Sequence, residues 1–299
     1  MRYLSVCSGI EAATVAWHPL GWEAAAFSEI DAFPRAVLQH HYPDTPLHGD
    51  FTTIQSGQYG PVDLLVGGTP CQSFSVAGLR LGLDDPRGNL ALGFAQLAAR
   101  LHPRWIVWEN VPGVLSANGG RDFGAILGAM AELGYSFAYR VLDAQHFGVP
   151  QRRRRVFLVG HSSGDWRRPA AVLLEPQGVS GNSAESSGSA QKTDRCSAAG
   201  LGGCSDVAQC LTTGTGMRYD PETETLIPEG DAVRRLTPIE CERLQGFPDR
   251  YTEIPWKNKP AASCPDGPRY KALGNSMAVP VMAWIGSRIA AVDALDGQP

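Results

Sequence analysis

Six short apolar runs, each closed by glycine, an acid or an amide, set what this chain can fold into. They are RYLSVCSG, EAAAFSEID, PVDLLVGG, RWIVWENV, SFAYRVLDA and RRVFLVGH. Helix-length stretches stand among them: IEAATVAWHPL, Asp31 to Tyr42, Asn89 to Leu101, and Phe123 to Leu133 closed by Gly134. Strands alternating with helices imply an α/β, doubly wound sheet, because each apolar strand then finds a helix to cover it. In such sheets ligands sit beyond the carboxyl ends of the strands. Cys7–Gly9, Glu29–Asp31, Gly67–Cys71 and Glu109–Asn110 all fall at strand ends. Four ends carrying polar or reactive groups predict one shared site.

The chain has 299 residues, 43% hydrophobic and 19% charged, enough for a large core in one domain or in one domain plus a smaller one. MRYLSVCSGIEAA does not read as a signal peptide, since Ser8, Gly9 and Glu11 break its apolar stretch. No uninterrupted apolar run is long enough for a bilayer, so a cytoplasmic protein without membrane attachment is expected. The seven cysteines include no CxxC pair, and no metal site is expected, although Cys196, Cys204 and Cys210 cluster loosely. The net charge of -4 does not announce a nucleic-acid binder. The basic residues nevertheless gather in the second half, with four consecutive arginines at Arg152 to Arg155, then Arg167, Arg168, Arg234, Arg235, Lys257, Lys259, Arg269 and Lys271. Each cluster is either a solvated surface or part of a basic face.

After about residue 161 the character changes. A Ser/Gly-rich segment near 178–195 reads as flexible. AQCLTTGTGMRYD and TETLIP look like short β segments. Thr237, Pro238 and Glu240 form a helix start with a capping-box pattern, and Ala278 to Ala294 reads as an apolar helix returning to the first domain.

GGTPCQSFSVAG places Cys71 at a strand end. Such a thiol could be core packing, a metal ligand, half a disulfide or a nucleophile. A thiol attacks as thiolate, and with a free pKa near ~8.5 it needs positive surroundings or an activated substrate. Glu109, in WENV, could activate a substrate by donating a proton if its pKa is raised. The arginine run could hold a carbonyl-bearing or anionic substrate. The set suits attack on an activated ring carbon.

Over residues 3 to 160 and 233 to 290 the chain resembles the DNA (cytosine-5) methyltransferase family. The motifs are CSGIEAA, SEID, GDF, GGTPCQSFSVAG, WENVPGV, FGVPQRRRR, RRLTPIECERLQGFP and RYKALGNSMAVPV, in the family's order. PCQ alone is weak. PCQ followed by ENV, QxRxR and GNS is specific. The resemblance implies the doubly wound mixed sheet of S-adenosylmethionine-dependent methyltransferases, in residues 1–160 plus 271–299. It implies a smaller, mostly irregular and β target-recognition domain in 161–270. The implied partner is double-stranded DNA, bound by a monomer, and a cognate restriction endonuclease is compatible with it.

The resemblance also implies roles. Cys71 adds to carbon 6 of a flipped cytosine, Glu109 activates the ring, and Arg155, with Arg153, contacts the base or nearby backbone. Cys7, Ser8, Gly9 and Ile10 match the turn near the methionine part of the cofactor. Glu29 matches the ribose-binding acid, with Ile30 beside it. Asp50 and Phe51 match the adenine pair, Gly67 and Pro70 are further implied cofactor contacts, and Asn275 and Ser276 close the methionine end. Gln72, Ser75, Asn110, Gln151, Thr212, Thr213, Arg218 and Arg234 are the implied DNA contacts, with Asn110 also bracing the Cys71 loop. Taken singly, Glu29 could equally cap a helix and Asp50 sit in a turn.

The chain departs from the family pattern in two places. Cys7 and Glu11–Ala12 replace the usual Phe and Gly-Gly, so adenine stacking would come from elsewhere, such as Ile30. Arg154 stands where an acid usually separates the arginines, which raises the local positive charge. Three rivals compete with this reading: an RNA cytosine methyltransferase, for which no TC partner is present; a non-catalytic relative, although Cys71 and Glu109 are kept; and a cysteine hydrolase, for which only His146 offers itself, in a loop-like DAQHFGVPQ.

Overall fold

The computed structural model of the protein describes residues 1–70, 90–174, 207–212, 225–229 and 232–296. Expectations placed on Cys71, Gln72, Ser75, Thr213, Arg218, Cys196, Cys204 and the segment near 178–195 fall outside these residues.

A seven-stranded mixed sheet forms the centre, in the order β3-β2-β1-β4-β5-β7-β6. The strands are β1 (Arg2–Val6), β2 (Glu23–Ser28), β3 (Leu47–His48), β4 (Leu64–Gly68), β5 (Trp105–Asn110), β6 (Ser136–Asp143) and β7 (Arg154–His161). β1 lies parallel between β2 and β4, β3 extends β2, and β5 extends β4, all parallel. β7 pairs antiparallel with both β5 and β6. All six runs read from the sequence are strands of this sheet. A separate hairpin joins β8 (Leu226–Glu229) and β9 (Ala232–Arg235).

Strand alternation divides the core in two. Tyr3, Leu64, Val66, Trp105 and Val107 face one layer, containing α1 (Ala12–Trp17) and α2 (Ala32–His41). Leu4, Val6, Leu65, Ile106 and Trp108 face the other, containing α3 (Leu90–Leu101) and α4 (Arg121–Glu132). Neighbouring residues on a strand point to opposite faces, so runs apolar at every position mean a sheet covered on both sides.

Among the described residues of the second half are the α-helices α5 (Arg167–Leu173), α6 (Pro238–Gln245), α7 (Asp266–Asn275) and α8 (Val279–Asp296). Thr237 caps α6 in the capping box that the sequence predicts, with Glu240 reaching back to the Thr237 N–H at 2.7 Å. Cys241, Leu244, Phe247, Tyr251 and Ile254 join the same core as Tyr3 and Trp17. Residues 266–295 contain one stretch long and apolar enough by composition to cross a membrane, although Arg288 and Asp293 interrupt its apolar run. Here α8 is a core element. Its Met282 carbonyl accepts the Trp17 indole N–H at 2.8 Å. A Cβ at Gly286 would stand 2.3 Å from that indole nitrogen, so only glycine admits this helix crossing.

Glu242 pins α6 to residues 250–252 and to α7. Fully buried, it accepts the backbone N–H groups of Arg250 at 2.6 Å and Thr252 at 2.9 Å, the Thr252 hydroxyl, and the Arg269 guanidinium at 3.3 Å. Removing one partner of a buried pair strands the other's charge. Glu242→Ala should therefore destabilise by about 3–5 kcal/mol, read from the urea midpoint; a loss under about 1 kcal/mol would mean that Arg269 finds water or another acceptor.

Candidate active site

The carboxyl ends of β1, β2, β4 and β5 open into one cleft of about 540 Å³, within the range of small-molecule and cofactor sites. Cys7, Gly9, Glu29, Ile30, Asp50, Phe51, Pro70 and Asn275 line it together with Glu109, Asn110, Arg153 and Arg155. Four strand ends thus do share a single site. Ser8, Ile10, Gly67 and Ser276 stand behind the wall: Ile10 is fully buried, and Gly67 packs where a Cβ would meet Val6 at 2.6 Å.

One end of the cleft is acidic and apolar. Glu29, just past β2, accepts N–H groups from Gly9, Ile30 and Asp31, each at 2.8 Å, which fixes its carboxylate against the β1 turn. Ile30 beside it is 75% exposed, an apolar side chain turned to the opening. Asp50 accepts from Thr52 N–H at 2.9 Å at the start of a 3₁₀ turn, so the turn role open to it in the sequence is met as well. Cys7 adopts a φ of 49° and burial lifts its thiol to about 12, with Glu29 and Asp50 adding to the rise. A thiol held protonated in this way is poorly suited to attack.

At the other end the Arg155 Nε stands 3.1 Å from the Glu109 Oε1, both largely buried. Burial raises the Glu109 carboxyl pKa, and Arg155 and then Arg153 pull it back down. The acid crowds β4: a Cβ on Gly68 would stand 2.8 Å from Glu109 Oε2. Asn110 donates to the Thr69 carbonyl at 3.0 Å and takes the Val111 N–H at 2.8 Å, so it braces the chain two residues before Cys71. Trp108 adds a second brace, its indole N–H reaching the Thr69 hydroxyl at 2.9 Å. Nothing in the sequence singles Trp108 out, because a tryptophan in an apolar strand reads as core.

Arg153 and Gln151 do something other than the sequence suggests. Arg153 is 3% exposed, and its guanidinium donates to the carbonyls of Leu211 at 3.0 Å, Gly274 at 3.0 Å and Ser276 at 2.6 Å. Gln151 is fully buried, donating to the Leu244 carbonyl at 2.8 Å and accepting from the Leu211 N–H at 3.1 Å. Gln245 donates to the Leu273 carbonyl at 2.7 Å. The three side chains hold residue 211 and the C-terminal end of α7 in place, and Gln151 is fully buried. Thr212 is exposed, and Arg234 forms a two-pronged pair with Glu240, both contacts 2.9 Å.

The β1 turn holds one more buried acid. Glu11 takes a φ of 68° at the N-cap of α1, accepting the Thr14 N–H at 3.2 Å. Burial lifts its pKa from 4.5 to about 7, with hydrogen bonds from Ser5, Thr14 and Ser8 offsetting part of the rise. A carboxyl whose folded pKa is raised stabilises fully below its unfolded value and loses that contribution as pH climbs to the folded one. Across pH 4.5 to 7 the loss is about 3 kcal/mol. Glu11→Gln should therefore gain on the parent by roughly that amount between about pH 4 and pH 8, measured by urea unfolding. A gap that does not change with pH would place the carboxyl in water.

A seven-stranded mixed α/β sheet with its cleft at the carboxyl ends of the parallel strands is the fold class of S-adenosylmethionine-dependent methyltransferases. The model of the C-5 cytosine-specific DNA methylase family matches residues 1–195 and 177–291. The chain belongs to that family. A protein of Escherichia phage P1 named DNA N-6-adenine-methyltransferase is 35% identical over 459 aligned residues, covering 96% of this chain but 61% of that protein, so the chain spans about three fifths of that relative's length. The type II methyltransferase M.SsoII of Shigella sonnei is 30% identical, with 96% of this chain and 79% of that one covered. Among solved structures, the Dnmt2 methyltransferase of S. pombe superposes with a TM-score of 0.68 at 18% identity over 99% of both chains, a likeness of fold.

Proposed function

We propose that this protein transfers a methyl group from S-adenosylmethionine to carbon 5 of a cytosine flipped out of double-stranded DNA, through a covalent bond to Cys71. The observation that carries the reading is the Glu109–Arg155 pair, buried in the same cleft as Glu29 and adjoining the chain that leads to Cys71.

The residues present fit the cofactor. Glu29 would take the ribose hydroxyls, since carboxylate oxygens that already accept backbone N–H groups keep further lone pairs. Ile30 would lie against the adenine with Asp50 and Phe51 beside it, and Gly9 and Asn275 would border the methionine part. The cofactor supplies an electrophilic methyl on a positively charged sulfur.

Protein side chains do the rest. The Cys71 thiolate bonds to carbon 6 of the ring while Glu109, in the protonated form that burial favours and the two arginines oppose, gives its proton to nitrogen 3. The electron pair of the 5,6 double bond becomes available at carbon 5, which takes the methyl. A base then removes the carbon 5 proton, the double bond re-forms, Cys71 leaves, and nitrogen 3 returns its proton. Arg155 holds Glu109 and borders the base; Arg153 positions the surrounding loops. Flipping costs roughly a few kcal/mol of unstacking, offset by contacts to the DNA. Catalysis is assigned to residues 1–160 plus 271–299 and target recognition to 161–270, in a monomer acting in the cytoplasm of a bacterial cell or phage-infected host. Thr212 and Arg234 are the described candidates for DNA contact.

The adenine chemistry in the phage relative's name is the competing outcome. Expressed in a host without cytosine methylation, the chain should leave 5-methylcytosine in one short sequence context, and Cys71→Ser should leave none, by base-resolution sequencing. N6-methyladenine that persists with Cys71→Ser would replace this reading. Glu109→Gln should lower turnover by about 10²–10⁴-fold. For the parent, kcat/KM should fall as pH rises through the raised Glu109 pKa, because the protonated form is the active one. A high-pH limb that survives in Glu109→Gln would assign it to another group.

A further inference from the structure

The four arginines from Arg152 to Arg155 are divided by strand geometry. Side chains alternate across an extended chain, and here the even pair faces out while the odd pair faces in: Arg152 and Arg154 are exposed, Arg153 is buried and Arg155 half-buried. The inner pair is bound to Glu109 and to the carbonyls behind the cleft. The outer pair is not. Asp143 lies opposite Arg154 in the β6–β7 register, but its carboxylate is occupied by the Arg153 N–H at 2.9 Å and the Gln145 amide at 2.8 Å. Neither outer guanidinium meets a carboxylate among the described residues.

Their place in the fold matters as much as their freedom. β7 runs antiparallel to β5, pairing Val156 with Asn110 and His161 with Trp105, so its first residues lie at the carboxyl end of the parallel strands, beside the cleft. The chain just before it is held there: the Arg152 N–H donates to the Ala208 carbonyl at 2.9 Å, and the Ala208 N–H to the Pro150 carbonyl at 2.8 Å. Two guanidiniums without a carboxylate partner among the described residues therefore stand one residue either side of the buried Arg153, Arg154 at the start of β7 and Arg152 on the chain bonded to Ala208 just before it, at the rim of the base site. A nucleotide entering that site brings its flanking phosphates past this rim. Planar guanidiniums match phosphate oxygens two at a time.

We propose that Arg152 and Arg154 clamp the DNA backbone phosphates flanking the target nucleotide. This rests on the reading of the protein as a DNA methyltransferase. Each phosphate contact contributes about 0.9 to the slope of log affinity against log salt. The test is binding of the cofactor-loaded protein to a random-sequence duplex across a salt series, since such binding is carried almost wholly by phosphates. Arg152→Ala/Arg154→Ala should reduce the slope by about 2 and weaken binding at least about tenfold at low salt. S-adenosylmethionine affinity should stay at the parent value, which confirms an intact fold. Arg152→Lys/Arg154→Lys should restore most of the slope, because the charge is kept. Arg167→Ala removes an exposed arginine beyond the far end of β7 and should leave the slope within about a few tenths of the parent's. An unchanged slope in the double alanine variant overturns the clamp alone. A parent that neither binds nor methylates duplex DNA but binds an RNA of the same sequence overturns the clamp together with the function it rests on.

Discussion

Arg153 is the contact on which the site's assembly depends. A guanidinium buried to 3% exposure has to find acceptors, and it finds three backbone carbonyls, one at Leu211 and two, Gly274 and Ser276, at the C-terminal end of α7. Those segments are far apart in sequence and share no strand ladder. Gln151 and Gln245 extend the bracket to Leu244 and Leu273. Buried polar groups satisfied in this way specify one arrangement, because any other leaves a charge or a carbonyl without a partner. Asn275, on the cofactor side of the cleft, thereby keeps a fixed relation to Arg155 and Glu109 on the other side.

A cysteine at a strand end takes its chemistry from its surroundings. Cys7 is enclosed, faces Glu29 and Asp50, and holds its proton to about 12. Thr69, two residues before Cys71 in the sequence, is instead braced by Asn110 and Trp108, in a cleft that also holds Arg153 and Arg155.

The sheet was legible because its strands are apolar throughout, a pattern that only a sheet covered on both faces explains. β3 escaped notice because Leu47–His48 is too short to show any period. α5 and α7 escaped it for a different reason. RRPAAVL and DGPRYKALGN each carry proline near the start, and α7 has two glycines, so propensity argues against helix in both. A proline in the first turn loses only an N–H that has no intrahelical partner, and packing on the core supplies what propensity lacks. The cleft-lining set was legible from motif order, whereas the burial of Gln151 and Arg153 was not. A polar side chain next to a site looks the same in sequence whether it faces a ligand or a carbonyl, and only the three-dimensional neighbours decide.

Glu29 and Glu109 complete the contrast between the two ends of the cleft. Both are glutamates at the carboxyl ends of strands. Three backbone N–H groups converge on Glu29, which is part exposed beside Ile30. Glu109 is buried, and its rise in pKa is limited by Arg155. One end suits the hydroxyls of a sugar, and the other suits a proton held for transfer. The second requirement discriminates between the two methylation chemistries named among the relatives. The exocyclic nitrogen of adenine brings its own electrons and asks for no thiol. Carbon 5 of cytosine is a poor nucleophile until a thiolate has added to the neighbouring carbon and a proton has reached the ring. A chain that keeps a buried carboxyl of raised pKa against an arginine, next to the residues leading to Cys71, suits the harder of the two.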